Sequence, residues 1–273
     1  MEEPVNLRVM TFNLRLNTSR DGEYAWPNRT SAVRAVIAEH APDVLCTQEG
    51  LPEMVDWMSG QFPDYHRLGT GRMADGSDEH VAIFASEKRF EVETHGQFWI
   101  SPQPDEPGSK AWGTFFPRIC TWCVVSDIET KTRLAVFNAH LDNRQLQARL
   151  AASEIIGVRM MEIARRSGDR LPFVLCGDFN AHPDSEEVAS FCDASDDGTR
   201  VLLAGCSDNT QGTYHEFRGV ADEAPIDYVL TTPDVRVLRR FVDDRSYHGT
   251  WPSDHFPVIA DLEVPSATTT GRG

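Results

Sequence analysis

LPFVLCGDFN, residues 171–180, is the stretch on which the reading of the fold turns. Its apolar run is short, lies between Pro172 and Gly177, and breaks into a polar turn carrying Asp178 and Asn180. That pattern reads as a strand. Just upstream, Gln145–Arg165 is the best helix in the chain: Leu146, Leu150, Ile156 and Met160 keep helical spacing, and basic residues sit near its end. Residues 133–141, RLAVFNAHL, form another strand before that helix, with ETKT as the hairpin turn leading into it.

The same alternation continues outward. VAIFAS (81–86), FEVETHGQFWI (90–100) and RICTWCVVSDI (118–128) read as strands. The loop SPQPDEPGSKAWG (101–113) holds three prolines and two glycines and is expected to be exposed and stiff. Nearer the N-terminus, Leu7–Leu16 is a strand, NTSRDGEYAWPNR (17–29) a loop, Thr30–His40 a helix, DVLCTQEG (43–50) a strand and Pro52–Gln61 a helix. After a Gly/Asp-rich middle come IDYVLTT, VRVLRRFV and PVIADLEV as closing strands. Strands outnumber helices and helices follow some of them, so the simplest reading is one layered α/β domain with mixed sheets over residues 1–265. A polar, disordered tail is expected over 266–273.

Composition narrows the function classes. The net charge is −16, from 42 acidic and 26 basic residues. Nucleic-acid binders normally carry a basic footprint, so this balance favours a small phosphorylated substrate over a polymer. The six cysteines include one C-x-x-C, Cys120 and Cys123, inside a β-like run where alternation puts the two thiols on opposite faces. That weighs against a redox or zinc reading, and reduced, mostly buried cysteines are expected. There is no apolar leader at the N-terminus and no apolar run near the ~20 residues of a membrane span. A cytoplasmic location is the default expectation, with no obligate protein partner evident.

The chemistry sits at strand ends. RVMTF runs into Asn13, DVLCTQ delivers Glu49, LAVFNA delivers His140, and PFVLCG delivers Asp178 and Asn180. IDYVL opens with Asp227, and Asp254 and His255 precede VIADL. Taken singly, Asn13 is an Asx-turn residue, Glu49 a loop acid and Asn180 a cap. Together, at one rim, carboxylates and carboxamides make an all-oxygen site for a hard cation, and magnesium suits it, with manganese able to substitute.

TFNLR, QEG, NAHLD, GDFNA, IDYVL and SDHFP occur in the order found in the endonuclease/exonuclease/phosphatase superfamily, and the chain resembles it from Thr11 to Pro257. The resemblance implies a four-layer α/β sandwich, DNase I-like, with two packed mixed sheets flanked by helices. It implies Asn13 and Glu49 as metal-site residues, assisted by Asp254. Asp178 then orients or deprotonates water, and Asn180 positions water and phosphate. His140 and His255 contact the phosphoryl group, and Asp227 orients His255.

The loops DGEYAWPNR and PGSKAWGTFFPRICTW are similar to those of bacterial nocturnin-like hydrolases. In the first, Asp21, Trp26 and Arg29 are expected to shape the mouth. In the second, Lys110, Trp112 and Arg118 are candidates for substrate contact, joined by Asp142 two residues after His140. The expected activity is a magnesium-dependent phosphoesterase acting on a small-molecule mono- or diester. Its alternatives are a nuclease acting on RNA or DNA, and a catalytically inactive binding module.

Overall fold

A computed structural model describes residues 4–167, 171–192, 203–205 and 210–266. The strands are β1 (Val5–Asn13), β2 (Val44–Gly50), β3 (Tyr65–Leu68), β4 (His80–Ser86), β5 (Phe90–Trp99), β6 (Ile119–Asp127), β7 (Arg133–His140), β8 (Phe173–Asp178), β9 (Asp227–Thr231), β10 (Arg236–Val242) and β11 (Val258–Val264). The helices among the described residues are α1 (Trp26–His40), α2 (Pro52–Gln61), α3 (Leu146–Ser167) and α4 (Glu186–Cys192), with a short 3-10 segment at Ser19–Tyr24.

The strands form two mixed sheets, ordered β10-β11-β1-β2-β4-β3 and β5-β6-β7-β8-β9. Each contains one parallel pair, β1 with β2 and β7 with β8. A parallel pair needs a crossover, and α1 and α3 supply the two.

Alternation along β8 shows how four layers follow from the apolar strand. Phe173 and Leu175 face α3 and α4, packing with Ile156, Met160 and Val188. Val174 and Cys176 face the other sheet, packing with Val9, Val44 and Cys46. On the far side of the six-stranded sheet, Met10, Phe12 and Leu45 pack against Val33, Ile37 and Met58 of α1 and α2. The order is therefore helices, sheet, sheet, helices, as the resemblance implied.

Cys120 and Cys123 point to different layers, so the C-x-x-C is two independent core residues. Cys46, Cys120, Cys123 and Cys176 are free and buried. Cys192 is disulfide-bonded, which corrects the expectation of uniformly reduced cysteines; Cys206 lies outside the described residues.

Three elements depart from the sequence reading. α1 begins at Trp26, four residues before the expected start, because Pro27 has the φ a first helical turn needs. β3 is a four-residue edge strand, too short to show a period. α4 is a short helix within what reads as a polar loop, anchored by Val188 and Phe191. Of the expected tail, residues 267–273 lie outside the described residues. No helix among the described residues is long and apolar enough to cross a membrane.

The end of α1 is clasped to the segment after β10. His40 Nε2 lies 2.6 Å from Asp243 Oδ2, and Arg245 Nε and Tyr247 Oη donate to the same carboxylate at 2.7 and 2.6 Å. Burial opposes ionisation, but hydrogen bonds from His40, Arg245 and Tyr247 outweigh it and hold Asp243 well below the usual carboxylate range. A carboxylate depressed on folding adds stability above its unfolded value of about 3.9, and that stability is lost as pH falls through the folded value. Asp243→Asn is expected to lower Tm at pH 7, and the gap to wild type should narrow steadily below about pH 4. A gap unchanged between pH 7 and pH 3 would remove the clasp from the account of stability.

Candidate active site

The inner faces of the two sheets change character from one end to the other. Along β7 the inward residues run Leu134, Val136, Asn138, His140; along β8, Val174, Cys176, Asp178; along β1, Leu7, Val9, Thr11, Asn13. An apolar start becomes a polar end on every strand. Register then lines up the ends: His140 pairs with Asp178, Asp178 with Asp227, and Asn13 with Gln48.

Between the apolar core and this rim lies a buried amide network. Gln48 Nε2 donates to Asn138 Oδ1 at 2.7 Å and to Thr11 Oγ1 at 3.1 Å. Asn138 Nδ2 donates to the carbonyls of Thr47 and Ala82 at 2.9 and 2.8 Å. Thr47 and Ala82 are the last paired residues of β2 and β4 before their register shifts. Strict alternation would put Glu49 on the opposite face from Gln48. The shift, with Glu49 in the left-handed region at φ 59°, turns its carboxylate back to Asn13 and the cleft. Asn138 thus ties the five-stranded sheet to the place where the other sheet bends to aim Glu49.

Asp178 is the hub. Asn13 Nδ2 donates to its Oδ2 at 2.9 Å and to Glu49 Oε1 at 3.1 Å. The backbone N–H of Asn180 donates to Asp178 Oδ1 at 2.9 Å. The Nε2 atoms of His140 and His255 face Asp178 Oδ2 from 3.7 and 3.9 Å. His255 Nδ1 lies 2.8 Å from Asp227 Oδ2, an arrangement that fixes the ring and leaves Nε2 toward the cleft. Gly177, at φ 149°, is required here because a Cβ would lie 2.0 Å from the carbonyl oxygen of Ala139.

The 253–255 turn is held from behind. Ser253 Oγ donates to the carbonyl of Asn13 at 2.7 Å. Arg29, fully buried, donates to the carbonyls of Tyr24, Leu14, Arg15 and Pro252. It therefore locks the exit of β1 to the turn carrying Asp254. Arg15 spans Asp21 and Asp254, at 2.9 and 3.7 Å.

These groups differ in charge state. Burial alone would lower His255, but Asp227, then Asp178 and Asp254, raise it to about 10. Burial, then Arg118 and Arg72, push His140 well below its ordinary value. Burial, then Asp227, push Asp178 up to about 7. Burial and Glu49 likewise raise Asp254.

Glu49, His140 and Asp178 offer ligand atoms within 4.8 Å of one another, as do Asp178, Asp227 and His255. Asp227 Oδ1 is buried without a hydrogen-bond partner among the described residues. Mutually repelling, oxygen-rich acids of this kind fit a hard divalent cation. Asn13 fits it differently from expectation. Its Oδ1 accepts from the N–H of Arg15 at 2.9 Å while its Nδ2 faces the carboxylates, so it holds Glu49 and Asp178 instead of presenting oxygen.

The sequence matches the family model described as Endonuclease/Exonuclease/phosphatase family over residues 10–255. The chain belongs to the endonuclease/exonuclease/phosphatase family. It is accordingly a hydrolase of phosphoesters. No curated protein matches it significantly in sequence. Among solved structures, a family protein from Bacteroides thetaiotaomicron is 30% identical, with 97% of each chain covered and a TM-score of 0.88. A mannosyl-6-phosphatase from Bacteroides thetaiotaomicron VPI-5482 is 30% identical, with 94% of this chain and 99% of that one covered and a TM-score of 0.85. The human nocturnin catalytic domain shares the fold at 19% identity, with 95% and 93% covered and a TM-score of 0.67.

In this family member the site opens into a cleft of about 790 Å³. Arg118 and Asp142 line it, whereas Lys110 and Trp112 do not. Lys110 Nζ donates instead to the carbonyl of Phe115 at 3.0 Å. Asp142 is occupied: Oδ1 accepts from the N–H groups of Arg144 and Gln145, and Oδ2 from Arg118 Nε at 3.2 Å. It caps the approach to α3 and aims Arg118, so it is a poor substrate contact. Asp21, Trp26 and Arg29 lie outside the cleft lining too.

Sequence reasoning missed Arg72 and Glu79, which form a two-bond pair at 3.0 and 2.8 Å on the cleft wall. Glu79 Oε2 lies 3.9 Å from His140 Nδ1, and burial, then Glu49, raise it to about 7. The available signal was an acid two residues before the apolar run VAIFAS.

Asn138→Leu keeps the volume but strips the carbonyls of Thr47 and Ala82 and the amide of Gln48 of a partner. Urea unfolding is expected to show a loss of about 3 kcal/mol. Turnover by the still-folded fraction should fall at least about tenfold through misdirection of Glu49. Full turnover per folded molecule would show that Asn138 serves the fold alone.

Proposed function

We propose that the chain is a magnesium-dependent phosphatase of small phosphorylated molecules, with sugar phosphate monoesters as the substrate class. The observation that carries this reading is the convergence of His140, His255 and Asn13 on the single carboxylate of Asp178, with Glu49 held beside it by the same Asn13 amide, at the floor of a cleft walled by Arg72 and Arg118. The similarity to a mannosyl-6-phosphatase supports the substrate class.

Glu49, with Asp254 behind it, would hold the cation beside Asp178, manganese being able to take magnesium's place. Bound there, the ion supplies charge neutralisation for the phosphoryl oxygens. The remaining work belongs to the chain. Asp178, raised in proton affinity by burial and by Asp227, accepts a proton from the attacking water as its oxygen bonds to phosphorus. The bond from phosphorus to the ester oxygen breaks, and the departing alkoxide takes a proton from solvent in the open cleft. Asn180 donates its Nδ2 to the carbonyl of Leu141 at 3.1 Å, which leaves Oδ1 to orient that water. His255, charged through Asp227, donates from Nε2 to a phosphoryl oxygen as negative charge builds. His140 stays neutral and serves as a second hydrogen-bonding contact. Arg118 Nε and Nη2 are held by Asp142 and Asn143, so the guanidinium reaches the phosphate from a fixed angle.

A monoester dianion can engage Arg72, Arg118 and charged His255 together more fully than a diester monoanion can. The net charge of −16 weighs against a nucleic-acid strand.

The test is hydrolysis of mannose 6-phosphate and of a bis-aryl phosphate diester, with magnesium and with EDTA. Wild type should prefer the monoester and lose turnover in EDTA. Asp178→Ala and His255→Ala should each lower kcat by at least about a hundredfold with folding intact by circular dichroism. A tenth of wild-type activity surviving in either variant would overturn the assignment of the site. Oligonucleotide cleavage that weakens steeply with salt would instead make the chain a nuclease.

A further inference from the structure

The cleft is far larger than a phosphoryl group needs, and part of its wall has no place in the reaction described above. Phe115 and Phe116 both line it. Phe115 is 74% exposed and Phe116 38% exposed, whereas large apolar side chains elsewhere in the chain are mostly buried. An exposed aromatic ring at the mouth of a catalytic cleft is more informative than one on an open surface.

The two rings meet edge to face, with centroids 4.8 Å apart and planes at 77°. The guanidinium of Arg72 lies 4.1 Å from the centroid of Phe116, so Phe116 is engaged in supporting that arginine. Phe115 carries no such cover. Its backbone is nevertheless held: Lys110 Nζ donates to its carbonyl at 3.0 Å, the N–H of Thr114 to the carbonyl of Ala111 at 3.1 Å, and Thr114 itself is buried. Trp112 and Gly113, with φ of 53° and 75°, make the left-handed turn that lifts the lip. The following Pro117 and Arg118 are buried and anchor its far end. The loop thus presents an exposed apolar ring from an anchored backbone on the cleft wall, with Asn143, Gln145 and Glu223 on the same lining.

We infer that Phe115 is a specificity residue that stacks against the ring of the leaving group, and that this ring is a pyranose. The inference rests on the phosphatase reading above and adds the recognition of the alcohol. A pyranose offers a flat C–H face to an aromatic ring and hydroxyls at its edge to amide and carboxylate groups. Asn143, Gln145 and Glu223 provide amides and a carboxylate in the same cleft. An acyclic alcohol has no such face, and it gains nothing from a pre-positioned phenyl ring.

The experiment compares kcat/KM for mannose 6-phosphate, glycerol 3-phosphate and a nucleoside 5′-monophosphate in wild type, Phe115→Ala and Phe115→Trp. The alanine variant is expected to lose about tenfold on mannose 6-phosphate, mostly in KM, the size of one aromatic contact. Its rate on glycerol 3-phosphate should stay within about twofold of wild type, and Phe115→Trp should restore the preference for the ring. Equal losses on both esters, or no loss on either, would overturn the subsite while leaving the phosphatase reading standing. A larger loss on the nucleoside monophosphate would replace the pyranose by a nucleobase. No turnover of any ester by wild type would remove the phosphatase reading and the subsite with it.

Discussion

The structure depends on a constraint at the middle of the sandwich: two sheets must stay packed face to face while their shared interior turns from oil to acid. Val9, Val44, Val136 and Val174 make one half of that interior. Asn13, His140 and Asp178 make the other. Thr11, Gln48 and Asn138 stand between them, all fully buried. A buried amide without partners is costly, and a partly satisfied network costs more than an apolar one. Here both Asn138 amide bonds go to backbone carbonyls of the opposite sheet and its oxygen takes the Gln48 amide, which leaves Gln48 Oε1 without a partner among the described residues. The network bridges the two sheets directly below the site and so fixes the separation at which residues from both reach Asp178.

Arg29 does at the back of the site what Asn138 does at its floor. Its charge is carried into a fully buried position without a paired carboxylate among the described residues, and burial lowers its proton affinity to about 10. Four backbone carbonyls from three segments compensate it. Breaking a buried charge arrangement is far more damaging than omitting it from the start. An arginine in this place therefore serves geometry: it makes the positions of Asn13 and of the Ser253–His255 turn depend on each other, although they lie at opposite ends of the chain.

How much of this could be read beforehand divides along a physical line. Strand identity was legible because β8 is continuously apolar and α3 keeps its period, whereas the order of the four layers came only with the resemblance to one family. The rim residues were legible because they sit where apolar runs stop, and because their order resembles one family. What escaped depends on local geometry that periodicity does not encode. Glu49 faces the cleft only through a register shift and a left-handed backbone. Asn13 turns its nitrogen, not its oxygen, to the acids because the N–H of Arg15 claims the oxygen. Asp142 follows the strand alternation to the cleft but is consumed as a cap. Arg72 and Glu79 lie in a polar loop, and their mutual pairing, with Asp78 and the Phe116 ring also on Arg72, lets both be buried.

The electrostatics of the site follow from the same packing. Burial and mutual repulsion raise Asp178, Glu79 and Asp254 together, so the bare cluster resists full ionisation. Two imidazoles respond in opposite ways to one environment. His255 has a carboxylate at hydrogen-bond distance and is held charged, whereas His140 has two arginines nearby and carboxylates no closer than 3.7 and 3.9 Å, and is held neutral. A cation among these acids and a phosphate beside the arginines would each relieve the strain on the other, since every charge the site lacks is one that a metal–phosphate pair brings. Reciprocal stabilisation of that kind makes the two ligands cooperative without any movement of the chain.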